Sequence, residues 1–82
     1  MQKLRSLFDT MQRYAGWLDR EKASVAVRAD VEALGLAIDA NADVLPLLGA
    51  LDSSLARLPS GEVRKMLRVA SAKIRRELAE AP

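Results

Sequence analysis

The chain has 82 residues, of which 50% are hydrophobic and 29% are charged, and its formal net charge is +2. This length is enough for one domain with a modest core, and the composition is typical of a folded globular protein. Cysteine and histidine are absent, which excludes disulfides, thiol nucleophiles, and the commonest general base and zinc ligand. We therefore expect one domain over residues 1–82 that is not an enzyme and uses no metal, cofactor or small-molecule substrate.

The sequence contains no apolar segment of membrane-spanning or signal-peptide length. Its longest nearly apolar run is VLPLLGAL, residues 44–51, and a membrane-spanning helix needs roughly 20 apolar residues. We therefore expect a cytoplasmic protein that does not bind membranes.

Helical periodicity dominates the chain and predicts an all-α fold, with helices at about 2–19, 24–40, 43–58 and 61–79. The first predicted helix has an apolar stripe with i, i+3, i+4, i+7 spacing, formed by Leu4, Leu7, Phe8, Met11, Tyr14, Ala15 and Leu18. The stripe does not continue in register, which predicts a break or bend within residues 19–24, with Ser24 as a candidate N-cap.

Trp17 lies outside that stripe, roughly 120° from its centre at 3.6 residues per turn, and Tyr14 borders the same flank. The commoner interpretation is that Trp17 covers the seam between two helices, because large aromatic side chains often lie at the margin of a core. The alternative is an exposed anchor for a partner, formed by Tyr14 and Trp17, because aromatic residues dominate binding hot spots.

The second predicted helix is apolar on two sides. One side carries Val27, Val31, Leu34, Gly35 and Ile38. The other side carries Val25, Ala29, Ala33 and Leu36, and charged residues are confined to the flanks. A helix that is apolar on two sides needs packing partners on both, so we expect this second side to form the interface of a homodimer.

The third predicted helix has the most regular stripe, formed by Val44, Leu47, Leu48, Leu51, Leu55 and Leu58. Asn41 is expected to end the helix before it, because asparagine tolerates the left-handed conformation of a helix C-terminus. Asp43 is expected to cap the third helix and Ser60 the fourth.

The fourth predicted helix separates apolar from basic residues. Its apolar face carries Val63, Met66, Leu67, Ala70, Ile74 and Leu78, and the opposite side carries Arg64, Lys65, Arg68, Arg75 and Arg76. A solvated surface is the commonest explanation for such a run. An arginine-rich side without acids also suits phosphates or an acidic protein surface. Because these side chains point away from the core, we expect acids of the other helices not to reach them.

Residues 63–78, VRKMLRVASAKIRREL, resemble bacterial helix-turn-helix segments. The resemblance implies that Ser71, Lys73, Arg75 and Arg76 would face a DNA duplex. It is incomplete, because Arg68 stands where these segments typically have glycine, and an uninterrupted helix fits the periodicity better.

The sequence therefore predicts a compact bundle of four helices, or of three helices with one bent, completed by homodimerisation. The function we expect is that of a small protein-binding or regulatory module that uses the basic fourth helix and the Tyr14/Trp17 flank, with an acidic protein surface as the favoured partner. The alternative is a dimeric DNA-binding protein that contacts phosphates, or the major groove, through the basic fourth helix.

Overall fold

The computed structural model describes residues 2–18 and 22–80, and these residues form four α-helices and no strand. The helices are α1 Gln2–Ala15, α2 Lys22–Asp39, α3 Leu45–Ala56 and α4 Glu62–Glu80. The predicted all-α fold is confirmed. The break expected within residues 19–24 falls largely on residues 19–21, which lie outside the described residues.

The four helices form a bundle measuring 37 × 20 × 19 Å. Helix α1 packs against α2 and α4, and α3 packs against the same two helices. Within the described residues, the backbones of the diagonal pairs α1–α3 and α2–α4 lie farther apart than those of neighbouring helices. Ion pairs join Lys3 near the start of α1 to Glu77 near the end of α4, and Arg5 to Asp39 at the end of α2, so α1 is antiparallel to both neighbours.

The core of the bundle is built from the predicted apolar stripes. The most buried large side chains come from all four helices, and they are Met11, Val27, Leu34, Leu48, Leu51, Leu55, Leu67 and Ile74. Tyr14, Leu18, Leu47, Val63 and Leu78 are partly buried against this core. The stripes are therefore confirmed as the source of the core.

The end of α2 is fixed by Asn41, which has a φ of 57°. The N–H of Ala42 donates to the carbonyl of Ala37 at 2.9 Å, and the N–H of Asn41 donates to that of Ile38 at 3.1 Å. This pair of hydrogen bonds is the Schellman motif, which satisfies the last carbonyls of a helix. The prediction that Asn41 ends the second helix is confirmed.

The predicted starts of α2, α3 and α4 differ from the observed ones by one or two residues. Ser24 is buried inside α2 and does not cap it. The N-cap position of α3 is Val44, and Asp43 lies one residue earlier, where its carboxylate accepts a hydrogen bond of 3.1 Å from the N–H of Leu45. Ser60 likewise lies one residue before Gly61, whose carbonyl accepts the first helical hydrogen bond of α4. Short polar residues correctly indicate these turns. The residue at which each helix begins is set by how its apolar stripe packs against the core.

Candidate functional site

Helix α4 runs without interruption from Glu62 to Glu80. Residues 63–78 therefore do not form a helix-turn-helix, and that part of the DNA-binding alternative is wrong. Ser71, which would have faced the duplex, is 1% exposed and donates a hydrogen bond of 3.0 Å to the Asp52 carboxylate of α3. Its side chain belongs to the seam between α3 and α4.

Two of the predicted binding arginines are engaged within the bundle. The Arg75 guanidinium lies 2.6 Å from the second carboxylate oxygen of Asp52. Arg64 donates a hydrogen bond of 3.1 Å to the carbonyl of Leu58, just after α3 ends. The expectation that acids of other helices do not reach the basic side is therefore wrong for Arg75, because Asp52 lies on the edge of α3 that faces α4.

The remaining predicted cations, Lys65, Arg68 and Arg76, are exposed on the outer side of α4. Lys73 is exposed on the same helix. None of these four side chains has a carboxylate of the described residues within salt-bridge distance. They form the part of the basic surface that remains available for a partner.

The aromatic flank lies at the end of α1. The rings of Tyr14 and Trp17 have centroids 5.4 Å apart and planes tilted by 45°. Tyr14 is partly buried against the core, whereas Trp17 is 56% exposed and follows the last turn of α1. Trp17 also lines a shallow cleft together with Pro59 and Arg64, so it covers the junction between α1 and the start of α4 and still presents more than half of its surface to solvent.

A groove with a volume of about 380 Å³ runs between α1 and α4. Helix α1 supplies Leu7, Thr10 and Tyr14, and α4 supplies Glu62, Lys65, Met66, Val69, Ala70 and Lys73. The groove joins the two predicted contact surfaces, because Tyr14 comes from the aromatic flank and Lys65 from the basic side.

Sequence reasoning missed the part that Leu7, Val69 and Lys73 play in this groove. Val69 is 50% exposed, although a Val in an amphipathic helix ordinarily faces the core. Its position on the outer side of α4, away from the predicted apolar stripe, is the signal in the sequence that could have identified it.

The outer side of α2 is a second apolar surface. Val25 is 59% exposed and Leu36 is 66% exposed, while Ala29 is exposed and Ala33 is partly exposed. The structure therefore places the four residues of the predicted dimer interface together on one helix, and at least three of them face outwards.

The charged residues on the flanks of α2 are drawn towards the neighbouring helices. Arg28 donates to the carbonyl of Leu18, and Ser54 of α3 donates to the Asp30 carboxylate. Asp39 pairs with Arg5 at 2.6 Å. These contacts hold Arg28, Asp30 and Asp39 at the edges of α2, whereas Glu32, four residues before Leu36, is exposed beside the apolar side.

Within the described residues, no three acidic side chains lie close enough together to hold a metal ion. None of the four helices combines the length and the apolarity needed to cross a membrane.

The chain was compared with protein-family models, with curated proteins and with solved structures, and none of them matches it. The candidate site is therefore defined by its own geometry: an apolar groove between α1 and α4, an aromatic pair at one end, and lysines on one side.

Proposed function

We propose that this protein is a non-enzymatic module that binds another protein through the groove between α1 and α4. The observation that carries this proposal is that Tyr14 and Lys65, taken from two separately predicted contact surfaces, line one groove beside the exposed Val69. Protein interfaces typically combine a central apolar and aromatic cluster with a polar rim, and this groove has both parts.

The apolar lining provides the driving force for such binding. Removing apolar surface from water contributes about 25 cal/mol per Å². Val69 in the groove, and Trp17 beside the groove residue Tyr14, each expose half or more of their surface in the isolated bundle. Lysines at the rim add selectivity for partners of opposite charge, because rim charges mainly affect the encounter rate and the rejection of wrong partners.

The proposal is tested by co-purification from the cells of origin, with nuclease treatment to remove contacts bridged by nucleic acid. We expect Val69→Glu and Trp17→Ala to lose the partner while helicity persists. Leu45→Glu is the matched control, because Leu45 is 53% exposed at the start of α3 and lies outside the groove. Equal recovery of the same proteins by all three variants would contradict the proposal.

We also propose that two copies meet through the outer side of α2, as the exposure of Val25 and Leu36 supports. Burial of an aliphatic side chain of this size contributes about 1.5–3 kcal/mol, and each copy would bury both. Sedimentation at micromolar concentration should give about twice the chain mass of 9.0 kDa, and Leu36→Glu should reduce this to the mass of a single chain. A single-chain mass for the unmutated protein would refute the dimer.

A second candidate function is phosphate-mediated binding of nucleic acid. It is favoured by Lys65, Arg68 and Arg76, which are exposed on α4 with no carboxylate of the described residues in salt-bridge range. Three phosphate contacts predict a slope of about −2.7 for log affinity against log salt, or a loss of about 40-fold between 50 and 200 mM.

Because such a site makes few phosphate contacts, we expect weak binding to generic duplex DNA at moderate salt. Tight, steeply salt-dependent binding that Arg68→Glu with Arg76→Glu abolishes would place this second function first. Titration of a labelled duplex at several salt concentrations measures both the affinity and the slope.

A further inference from the structure

The two edges of the α1–α4 groove differ in charge. The α4 edge carries Lys65 and Lys73, and the α1 edge carries the uncharged side chains of Thr10 and Tyr14. Between them the floor is apolar. A partner that fills the groove therefore meets positive charge along one side only.

The two lysines are not neutralised by the described part of the chain. No described carboxylate lies within salt-bridge distance of either side chain. The one acid that lines the groove, Glu62, lies at the start of α4. In contrast, Arg75 on the other side of α4 has its carboxylate partner in Asp52. The two lysines of the groove are therefore available to pair with acidic residues of a partner.

The dimensions of the groove match about two to three turns of helix. Lys65 and Lys73 are eight residues apart in α4, which corresponds to about 12 Å along the helix axis at 1.5 Å per residue. Leu7 and Tyr14, seven residues apart on α1, span about 10 Å by the same measure. A helix with apolar residues at i, i+4 and i+7 presents a ridge of this length.

We infer that the groove binds an amphipathic helix of a partner protein that carries two acidic residues seven or eight positions apart on one flank. This inference rests on the proposed protein-binding function and names the class of partner. The apolar ridge of that helix packs against Leu7, Tyr14 and Val69. Its acidic flank lies over α4, and its other flank lies over α1. The one-sided charge therefore fixes the orientation of the partner helix.

Another copy of this chain fits the groove less well. The exposed apolar ridge that a second bundle offers is the outer side of α2, whose residues Val25, Ala29, Ala33 and Leu36 are uncharged. Two acids seven positions apart flank that ridge, but within the described residues only Glu32 is free, because Asp39 is paired with Arg5 at 2.6 Å. A second copy would therefore offer one free carboxylate on that flank to the two lysines. Charge complementarity therefore favours a different protein over self-association at this groove.

The inference is tested with a fluorescent helical peptide of about 14 residues. It carries leucines at i, i+4 and i+7 and glutamates at two positions seven apart on one flank. A second peptide replaces the glutamates with lysines, and a third replaces the leucines with serines. Fluorescence anisotropy against the full chain should show binding of the first peptide at least about tenfold tighter than that of either other peptide, because reversed rim charges convert attraction into repulsion.

Protein variants locate the effect in the groove. Lys65→Glu with Lys73→Glu should reverse the preference, so that the lysine peptide binds more tightly than the glutamate peptide. The matched control is Arg13→Glu with Arg57→Glu, which makes the same change in net charge at exposed positions outside both the groove and the basic side of α4. It should keep the original preference, with any weakening of glutamate-peptide binding below about threefold. Thermal unfolding followed by circular dichroism verifies that both variants fold.

Several outcomes would overturn the inference. One is equal binding of all three peptides, or no binding of any of them. Another is an equal response to the two double variants, which would show a general effect of net charge. Conversion of a dimer to a single chain by Val69→Glu in sedimentation would show that a second copy occupies the groove. If the peptide results are negative but co-purification still depends on Val69, the protein-binding function stands and only the acidic helix is wrong.

Discussion

Gly35 of α2 packs directly against the ring of Phe8 in α1. This contact determines whether replacing Gly35 by alanine stabilises or destabilises the fold. A Cβ atom added at Gly35 would lie 2.5 Å from Cζ of Phe8 and 2.9 Å from Cε2. Ordinary carbon–carbon contacts are about 3.5–4.0 Å. Phe8 is 3% exposed, so its ring cannot move away from Gly35 without disturbing the core contacts around it.

Two opposing effects determine the result of Gly35→Ala. Replacing glycine by alanine within a helix contributes about 0.8–1 kcal/mol of stability. Overpacking a core costs about 1–3 kcal/mol, and the 2.5 Å approach to a buried ring places this substitution in the upper part of that range. We therefore expect a net loss of about 1–2 kcal/mol, or a fall in Tm of at least about 4 °C for a domain of this size.

Gly49→Ala in α3 is the matched control. It is the same substitution inside a helix, but apart from the neighbouring residues and backbone of its own helix, no heavy atom lies within 4 Å of the added Cβ. Only the propensity gain remains, so we expect a rise in stability of about 0.5–1 kcal/mol. Phe8→Leu combined with Gly35→Ala should recover part of the loss caused by Gly35→Ala in the unmutated background, because the shorter side chain leaves room for the Cβ.

The assay is urea unfolding followed by circular dichroism, with all variants at one protein concentration so that any self-association affects them equally. A Gly35→Ala protein as stable as the unmutated chain, or more stable, would refute the reasoning. So would a Phe8→Leu background in which Gly35→Ala costs as much as before.

Three smaller predictions concern single side chains. Asp52→Ala should lower the unfolding free energy by about 1–3 kcal/mol, because it leaves the buried Ser71 hydroxyl without its acceptor. Arg75→Ala should lower it by at most about 1 kcal/mol, because the Arg75–Asp52 ion pair is partly exposed. Similar losses for the two variants in denaturant titrations would contradict this. Asn41→Ala should lower stability by about 1–2 kcal/mol because of the positive φ, and Asn41→Gly should stay within about 0.5 kcal/mol of the unmutated chain in the same titrations. Trp17→Ala should change the unfolding free energy by less than about 1 kcal/mol, since its ring is mostly exposed, and a Tm drop above about 8 °C in a thermal melt would show that the ring is part of the core.

The periodicity of the sequence predicted the bundle and its core well. A buried stripe is a property of one helix, so residues such as Leu51 and Leu55 can be assigned to the core without knowing what they pack against. Asn41 was also predictable, because the local conformation at a helix end depends on the residue itself. Features that one helix determines alone are therefore available from the sequence.

Features that depend on two helices were not predictable in the same way. A helical projection shows the direction of Arg75, but it does not show that Asp52 of α3 lies across the seam. The groove likewise requires Tyr14 and Val69 to be placed side by side, which depends on the packing of α1 against α4. The outward direction of Val25 and Leu36 was correctly predicted, because it follows from the projection of α2 alone.

Helix α1 is held in the bundle by different interactions at its two ends. Both interhelical ion pairs of α1 among the described residues, Lys3–Glu77 and Arg5–Asp39, lie near its beginning, beside the buried Leu4. The other end is held by the apolar contacts of Tyr14 and Leu18 and by the hydrogen bond from Arg28 to the Leu18 carbonyl. Salt screens exposed ion pairs and leaves apolar burial largely intact. Rising ionic strength should therefore weaken the contacts of the first turn of α1, which is remote from Trp17. The aromatic end of α1 should keep its conformation over a wide range of salt concentrations.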